Sequence, residues 1–329
     1  MNSFISVVYT ANDLYAPLLG ISLTSLLYNN KEEKFNIYIL SNGIKMNNIE
    51  LLKKTCQKYR AKLNIINILN FEKKISFDID MCGYNITTMA RLFLADLLPQ
   101  EVEKILYLDC DTMINNSIME FWNTDIEKKY IAAVPEFLMP LEKRLSIGMK
   151  KENIYYNAGV LLINVKKWRE QNLAQTFMEY YASCNGILQY NDQDIINYCC
   201  TKQSQPVSVD FDFFPVLYWY RSSYIHKIQP LYKKISKEQL TRIKKKPAIV
   251  HFVGDERPWV KGNHVPYRKD YIFNVNISEW TMEQIQKKGQ WIQMQIYYIC
   301  NLIALVCPSF RIFIGKTIGI NKAKMFRKK

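Results

Sequence analysis

The apolar and polar positions of the chain alternate between short apolar runs and longer segments with a helical period. Residues 4–9, 35–40 and 62–69 are apolar runs rich in β-branched residues, and they predict strands. Residues 15–28 and 49–59, which separate these runs, carry apolar residues at helical spacing and predict helices. Strands that alternate with helices are typical of a mostly parallel sheet, which binds ligands at the carboxyl ends of its strands.

The same alternation continues through the middle of the chain. Residues 88–97 predict a helix, and residues 104–108 form an apolar strand that leads directly into Asp109. Residues 211–224 are rich in aromatic side chains and show no regular period. The remaining predicted elements are strands at 130–134, 158–164 and 248–252 and helices at 165–181 and 192–200.

Composition indicates a folded chain. The 329 residues are 49% hydrophobic and 13% aromatic, with only 11 glycines and 11 prolines, which excludes a collagen-like or largely disordered protein. This length is close to the upper limit for one hydrophobic core. We therefore expect one large domain with an appendage.

The net charge of +14 is concentrated at the C-terminal end. Residues 287–329 contain nine basic and no acidic residues, which leaves a net charge of +5 on the rest of the chain. A basic segment of this kind favours binding to an anionic membrane surface. Nucleic-acid binding would predict aromatic residues among the basic ones, but Phe326 is the only aromatic residue in 322–329, so we expect no nucleic-acid partner.

The segment 291–307 is apolar except for three polar residues, and it is shorter than the ~20 residues that span a bilayer. It predicts an interfacial helix rather than a transmembrane one. We therefore expect a catalytic domain at 1–280 and a helical, basic, membrane-associating tail at 281–329. The N-terminal residues lack the basic and long apolar regions of a signal peptide. The expected location is the cytoplasm, peripheral on the inner face of the plasma membrane.

The eight cysteines form no Cys-x-x-Cys pair, and there are only three histidines, which argues against a zinc site or a disulfide framework. The strongest candidate for metal chemistry is Asp109-Cys110-Asp111, because strand alternation points both carboxylates to one side. Two such carboxylates can chelate a divalent cation that holds a diphosphate. The chain contains four Asp-x-Asp patterns, the others starting at 78, 192 and 210, and most are expected to be solvated or capping residues.

His251 ends another apolar strand, where a ring nitrogen can complete a metal shell, although a lone histidine is more often a structural residue. Mixed oxygen and nitrogen ligands suit Mn²⁺ somewhat better than Mg²⁺. Asn157-Ala158-Gly159 and the helix start at 191–194 carry amide and carboxylate groups suited to hydroxyl-rich ligands. Turn and N-cap roles are the alternative, which we favour for Asp194 taken alone.

Six segments, taken together, resemble glycosyltransferase family 8, a family of retaining nucleotide-sugar transferases. They are TANDLYAPLLGISLTSLL (10–27), ARLFLADLLP (90–99), KILYLDCDTMI (104–114), YYNAGVLLINVKKWRE (155–170), YNDQDIIN (190–197) and IVHFVGDERPW (249–259). Their order and combined length, across about residues 1–260, make the resemblance specific.

The resemblance implies an α/β fold of the GT-A type, with a Rossmann-like nucleotide-sugar-binding domain. It implies metal ligands at Asp109, Asp111 and His251, uridine contacts at Thr10, Asn12 and Tyr15, and diphosphate contacts at Gly254 and Arg257. It further implies donor-sugar contacts at Arg91, Asn157, Ala158, Asp192 and Gln193.

Two residues depart from the family pattern, and a third lies near a position where the family often has another residue. Arg257 stands where the family usually has Lys, Asn12 where a first Asp is common, and Glu136 near a position that is often Asp. Arg257 keeps the positive charge but changes its geometry.

The implied activity is transfer of glucose or galactose from a UDP-sugar to a glycan acceptor such as a lipopolysaccharide, a capsule or another cell-surface saccharide. The implied cofactor is Mn²⁺, with Mg²⁺ also compatible. Gln193 and Asp192 are the candidate catalytic residues on the far face of the sugar, and we favour front-face attack over a covalent intermediate because a neutral amide is a poor nucleophile. The alternative is a membrane-tethered nucleotide-sugar-binding protein without turnover, which need not keep Asp192, Gln193 and His251 together.

Overall fold

The computed structural model describes residues 4–254, 257–289 and 291–314. Within them, the strands are β1 (Ile5–Asn12), β2 (Phe35–Asn42), β3 (Lys62–Asn67), β4 (Lys104–Leu108), β5 (Thr112–Ile114), β6 (Ile131–Pro135), β7 (Tyr156–Asn164), β8 (Ser204–Pro206) and β9 (Ile249–His251). The α-helices are α1 (Ala16–Asn29), α2 (Met46–Lys58), α3 (Leu94–Leu97), α4 (Met119–Trp122), α5 (Leu141–Ser146), α6 (Val165–Glu170), α7 (Leu173–Ser183), α8 (Asn191–Cys200), α9 (Ser222–Ile228), α10 (Lys237–Lys245), α11 (Arg268–Ile277), α12 (Met282–Ile285) and α13 (Trp291–Val306).

Seven strands form one sheet in the order β3-β2-β1-β4-β7-β6-β8, while β5 and β9 form a separate antiparallel pair. The strands β1 to β4 are parallel to one another, as the alternation of strands and helices predicted. The strand β7 is antiparallel to both β4 and β6, so the sheet is mixed. The amino end of β7 therefore lies beside the carboxyl end of β4, with Val160 opposite Leu108.

Both faces of the sheet are covered. Along β4, Leu106 and Leu108 pack into one apolar cluster, while Ile105 and Tyr107 pack into the other. This alternation follows from the two-residue period of a strand. A strand buried on both faces reads as a continuous apolar run, which is how β4 appears in the sequence.

Two predicted helices differ from the structure. The helix predicted at 165–181 is two helices, α6 and α7, because Asn172 adopts a left-handed conformation at φ 47° and ends the first. The helix predicted at 88–97 is a 3₁₀ helix, Ile86–Phe93, followed by α3. The Thr88 hydroxyl donates to the Asn85 carbonyl at its start, a local bond that competes with regular helix formation.

The described residues of the C-terminal segment, from Trp280 onward, pack on the rest of the chain. Trp280 and Ile285 are buried, and α13 contacts the 3₁₀ helix Pro215–Trp219. None of the helices in the described ranges is long and apolar enough to cross a membrane. The basic tail predicted from the sequence lies, for residues 315–329, outside the described residues. The division into 1–280 and 281–329 stays a prediction.

Candidate active site

A cleft of about 580 Å³ opens at the carboxyl ends of β1 and β4, beside the amino end of β7. Between β1 and β4 the order in which the chain adds strands to the sheet changes from one side of β1 to the other. Open α/β sheets usually bind their ligands at such a point. All thirteen residues predicted for the site line this cleft: Thr10, Asn12, Tyr15, Arg91, Asp109, Asp111, Asn157, Ala158, Asp192, Gln193, His251, Gly254 and Arg257. The structure thus brings them together, while their individual roles stay predictions.

Asp109, Asp111 and His251 form a compact cluster whose potential ligand atoms all lie within 4.8 Å of one another. His251 Nε2 lies 3.2 Å from Asp111 Oδ1 and 3.9 Å from Asp109 Oδ2. The antiparallel pairing of β5 with β9 sets this geometry, because it aligns His251 with Thr112, the residue after Asp111.

Asp212 completes the cluster, although the sequence did not single it out. Its side chain is fully buried, and its Oδ1 lies 2.9 Å from His251 Nδ1. The expectation that the other Asp-x-Asp patterns are mostly solvated or capping is wrong for Asp212. The backbone places it there, since Phe213 accepts a hydrogen bond from His251 N and donates one to Ile249. The sequence did contain one indication that Asp212 is buried, because it lies between Phe211 and Phe213, and both of these pack into the core.

The contact with Asp212 determines what His251 can do. An imidazole held at Nδ1 by a carboxylate presents Nε2 to the other side, which is the usual arrangement of a metal-ligating histidine. Burial lowers the pKa of His251, but Asp212 and Asp111 outweigh burial and raise that pKa well above its ordinary value. The surroundings of the ring therefore favour positive charge at the centre of the cluster.

Gly159 keeps space beside the cluster. A Cβ atom at this position would come within 2.8 Å of Asp109 Oδ2 and would collide with the His251 ring.

Two carboxylates and one imidazole are a donor set for a hard or borderline divalent cation. The residues present therefore fit a metal ion, in agreement with the predicted ligands, and they do not identify which ion.

Asp212→Asn tests whether the residue behind His251 matters. We expect about a 10- to 100-fold loss of metal affinity or activity, because a partner that orients a ligand is worth roughly that much. Titration of the metal against the purified variant measures it. Asp210→Asn is the matched control, because Asp210 bonds the backbone of Ala248 and lies outside the cleft. Equal metal affinity in the two variants would contradict a role for Asp212.

Arg91 links the cluster of Asp109, Asp111 and His251 to the residues predicted to contact the donor sugar. It is almost fully buried, with Nη2 2.7 Å from Asp109 Oδ1 and Nε 3.0 Å from Asp192 Oδ2. Its Nη1 donates to the Ala158 carbonyl at 2.5 Å. A single guanidinium group therefore holds the carboxylates of Asp109 and Asp192 and the Ala158 carbonyl of β7 in position. The planar fork of arginine suits this task better than the point charge of lysine.

Asp192 and Gln193 lie in the first turn of α8 and face the same space. Burial raises the pKa of Asp192 to about 6, against the opposing charge of Arg91. Gln193 Oε1 accepts a hydrogen bond from Ala158 N at 3.0 Å, and Gln193 Nε2 donates to the Tyr155 hydroxyl at 3.3 Å.

Two further polar groups complete this side. Asn157 Nδ2 donates to Glu136 Oε2 at 3.0 Å, and both residues line the cleft.

Asp194 does not line the cleft. It is fully buried, pairs with Lys143 at 2.7 Å and accepts from the Tyr155 hydroxyl at 2.6 Å. It also accepts from Tyr190 N, and because Tyr190 is the N-cap of α8, the N-cap role expected for Asp194 is wrong and its role is that of a buried structural ion pair.

The opposite end of the cleft carries the predicted nucleotide residues. Asn12 Oδ1 accepts a hydrogen bond from Tyr15 N at 3.2 Å, which fixes the loop before α1. Arg257 Nη2 lies 3.7 Å from Asp111 Oδ2, while Arg257 Nε is buried and has no hydrogen-bond partner among the described residues. Gly254 takes a left-handed backbone at φ 77°, a conformation that favours glycine.

Solved structures share this fold. A galactosyltransferase, LgtC, crystallised with donor and acceptor sugar analogs, superposes with a TM-score of 0.72 at 24% identity, covering 84% of this chain and 96% of LgtC. The bifunctional glycosyltransferase WbbM gives 0.68 at 21% identity, covering 86% of this chain and 51% of that one. The architecture is therefore that of the GT-A-like glycosyltransferases.

Sequence comparison gives the family. A family model described as glycosyl transferase family 8 matches residues 6–262, and the chain belongs to that family. A putative glycosyltransferase of Haemophilus influenzae is 29% identical over 78% of this chain and 73% of its own length. The lipopolysaccharide 1,2-glucosyltransferase of Escherichia coli K12 is 22% identical over 92% of this chain and 89% of its own length. The protein is thus a glycosyltransferase, as the resemblance implied.

Proposed function

We propose that this enzyme transfers glucose or galactose from a UDP-sugar to a hydroxyl group of a cell-surface glycan, such as a lipopolysaccharide or a capsule, with retention of anomeric configuration. The observation that carries the proposal is the cluster of Asp109, Asp111 and His251 in one cleft with Arg257 and Gln193. Relatives named as lipopolysaccharide glucosyl- and galactosyltransferases support the hexose and the acceptor class.

The nucleotide end of the cleft is suited to a diphosphate. Asp109, Asp111 and His251 would hold a divalent cation, Mn²⁺ or Mg²⁺, which supplies positive charge for the phosphate oxygens when bound. Arg257 offers on the same side a buried Nε donor that has no hydrogen-bond partner within the described part of the chain. Charge that grows on a departing diphosphate is stabilised by donors held in place beforehand.

The sugar end of the cleft is suited to hydroxyl recognition. Arg91, Asn157 and Asp192 present charged or amide groups there, and all are held by hydrogen bonds to the protein. Gln193 is neutral, and its amide oxygen already accepts from Ala158 N. These bonds support an orienting role for Gln193, and they favour front-face attack, in which a leaving phosphate oxygen takes the acceptor proton.

A donor screen tests the proposal. The purified protein is incubated with Mn²⁺, a saccharide acceptor and UDP-glucose, UDP-galactose or other nucleotide sugars in turn, and UDP release is measured. We expect release with one UDP-hexose above all others. Binding of UDP-hexoses without release from any donor and acceptor pair would favour the binding protein without turnover. Release from a non-uridine donor alone would contradict the proposed donor class.

Gln193→Ala separates the two routes to retention. Front-face attack loses only positional and electrostatic support for the sugar, so we expect a 10- to 100-fold loss of rate, roughly 1.4 to 2.7 kcal/mol. The transfer rate and the anomeric configuration of the product by proton NMR are the measurements. Complete loss of activity together with a trapped glycosyl adduct in the wild type would contradict the front-face route.

We also propose that residues 281–329 associate the enzyme with the anionic, cytoplasmic face of the plasma membrane. One side of α13 packs on the catalytic body through Met294, Cys300 and Ala304. In the described part of this region, the exposed large apolar residues are Trp291, Ile292, Ile296, Ile299, Leu302, Leu305, Val306, Phe310 and Phe313. Arg311 is buried and donates to Asn301 Oδ1, and the six basic residues that come after it in the sequence are each worth about 1 kcal/mol near an anionic leaflet.

Ile292→Glu combined with Ile299→Glu tests this tether, because both side chains are more than half exposed, at 72% and 56%. We expect the double variant to lose co-sedimentation with phosphatidylglycerol vesicles while it keeps its fold. Met46→Glu with Leu145→Glu is the control, since these side chains are similarly exposed elsewhere, at 63% and 51%. Equal sedimentation of both variants and the wild type would contradict the tether.

A further inference from the structure

The short segment before α13 returns to the nucleotide end of the cleft. Lys287 N donates to the Trp259 carbonyl at 3.0 Å, and Lys261 N donates to the Lys287 carbonyl at 3.1 Å. These bonds form a parallel bridge between residues 260 and 287, directly after the loop that carries Arg257. Lys287 lies outside the part of the chain that the family model matches, which ends at residue 262.

The side chain of Lys287 lies at the rim of the cleft, beside Tyr15, which is one of the predicted nucleotide residues. Its ammonium nitrogen is 5.6 Å from the centre of the Tyr15 ring, within the range of a cation–π contact. Burial and the neighbouring charge of Arg257 both lower the pKa of Lys287. Lys287 thus lies beside Tyr15, Arg257 lies 3.7 Å from Asp111, and the two cations are close enough for their charges to interact.

Within the described residues, one carboxylate forms an ion pair with one of these two cations. Asp111 reaches Arg257 at 3.7 Å, whereas Lys287 has no carboxylate partner among the described residues. Like charges held close together repel one another, and an anion between them removes the repulsion. A polyvalent anion bound next to Arg257 would therefore interact with both side chains.

We propose that Lys287 is a diphosphate-binding residue, so that the C-terminal segment completes the nucleotide site with a second cation beside Arg257. The inference rests on the proposed function, because it assumes a UDP-sugar in this cleft. A uridine base against Tyr15 and a diphosphate near Asp111 would extend past both cations. Lysine suits this contact, since its flexible stem lets the ammonium leave the Tyr15 ring when a base arrives there and move to a phosphate oxygen.

Calorimetric titration of the full-length protein with UDP and with uridine, both in the presence of Mn²⁺, tests the inference. We expect Lys287→Ala to bind UDP about tenfold more weakly than the wild type, with uridine affinity unchanged. The dependence of UDP affinity on salt should also become weaker, because one ionic contact is lost. Lys287→Arg should recover most of the UDP affinity.

Lys288→Ala is the matched control, because it removes the same charge from the next residue of the chain. Thermal unfolding of each variant checks that the segment stays folded, and Lys287→Gln replaces the alanine variant if that one unfolds early. Equal UDP affinity in the Lys287 and Lys288 variants would contradict the inference. An equal loss of UDP and uridine affinity in Lys287→Ala would also contradict it, since the contact would then be with the base.

The two proposals fail in different ways. If the wild type binds no UDP, the proposed function is wrong and the role of Lys287 is wrong with it. If the wild type binds UDP and Lys287→Ala binds it equally well, only the role of Lys287 is wrong.

Discussion

Replacing Asp109 or Asp111 by Asn, or His251 by Ala, is expected to lower turnover at least ~100-fold. Each change removes one of three ligand atoms from a cluster in which all lie within 4.8 Å of one another. A loss of this size is typical when a group that stabilises transition-state charge is removed. The measurement is the rate of hexose transfer at saturating Mn²⁺.

Asp78→Asn is the control for these variants, because Asp78 belongs to another Asp-x-Asp pattern but is exposed and lies outside the cleft. It should transfer at the wild-type rate. Thermal unfolding distinguishes a loss of chemistry from a loss of fold. If the wild type transfers hexose at the same rate after EDTA treatment, the metal assignment is wrong.

Replacing Arg91 by Leu is expected to destabilise the protein by about 3–5 kcal/mol, in addition to abolishing activity. The guanidinium pairs with the buried Asp192 and the partly buried Asp109, so its removal takes the cation away from both carboxylates and leaves Asp192 without its ion-pair partner. Unfolding in urea, followed by circular dichroism, measures the free energy of unfolding. Arg242→Leu, on an exposed position of α10, is the control and should change it little.

The pH dependence of the Arg91 variant provides a second check. Burial already raises the pKa of Asp192 to about 6, and loss of the arginine charge raises it further. Such a carboxyl binds more protons in the folded state than in the unfolded one, so its unfavourable effect is largest at neutral pH and shrinks as pH falls. The stability deficit of Arg91→Leu should therefore be smaller at pH 5 than at pH 8. A deficit below 1 kcal/mol at pH 8 would contradict the account.

The elements that carry the site could be predicted because their sequence signals are local. The apolar run of β4 ends at Asp109, and the run of β9 ends at His251, so both side chains were expected at strand ends. The resemblance to family 8 then connected segments far apart in the chain, and the residues it implied line one cleft. The antiparallel direction of β7 was not predicted, yet it explains why Asn157 and Ala158, at the start of a strand, lie beside Asp109.

The remaining features depend on contacts that no local pattern encodes. Asp212 meets His251 across 39 residues, through hydrogen bonds between an irregular segment and β9. Lys287 reaches Tyr15 from a segment that the sequence assigned to the membrane tail. The break between α6 and α7 depends on one asparagine in a left-handed conformation, which helical spacing alone does not reveal.

Metal-dependent binding of UDP tests the central claim most directly. The claim is that Asp109, Asp111 and His251 hold a divalent cation that in turn binds the diphosphate of the donor. Titration of UDP into metal-free wild type, into wild type with Mn²⁺, and into Asp111→Asn with Mn²⁺ compares the three cases in one experiment. We expect tight binding only for the wild type with Mn²⁺. UDP affinity that is the same with and without the metal, or the same in Asp111→Asn, would contradict it.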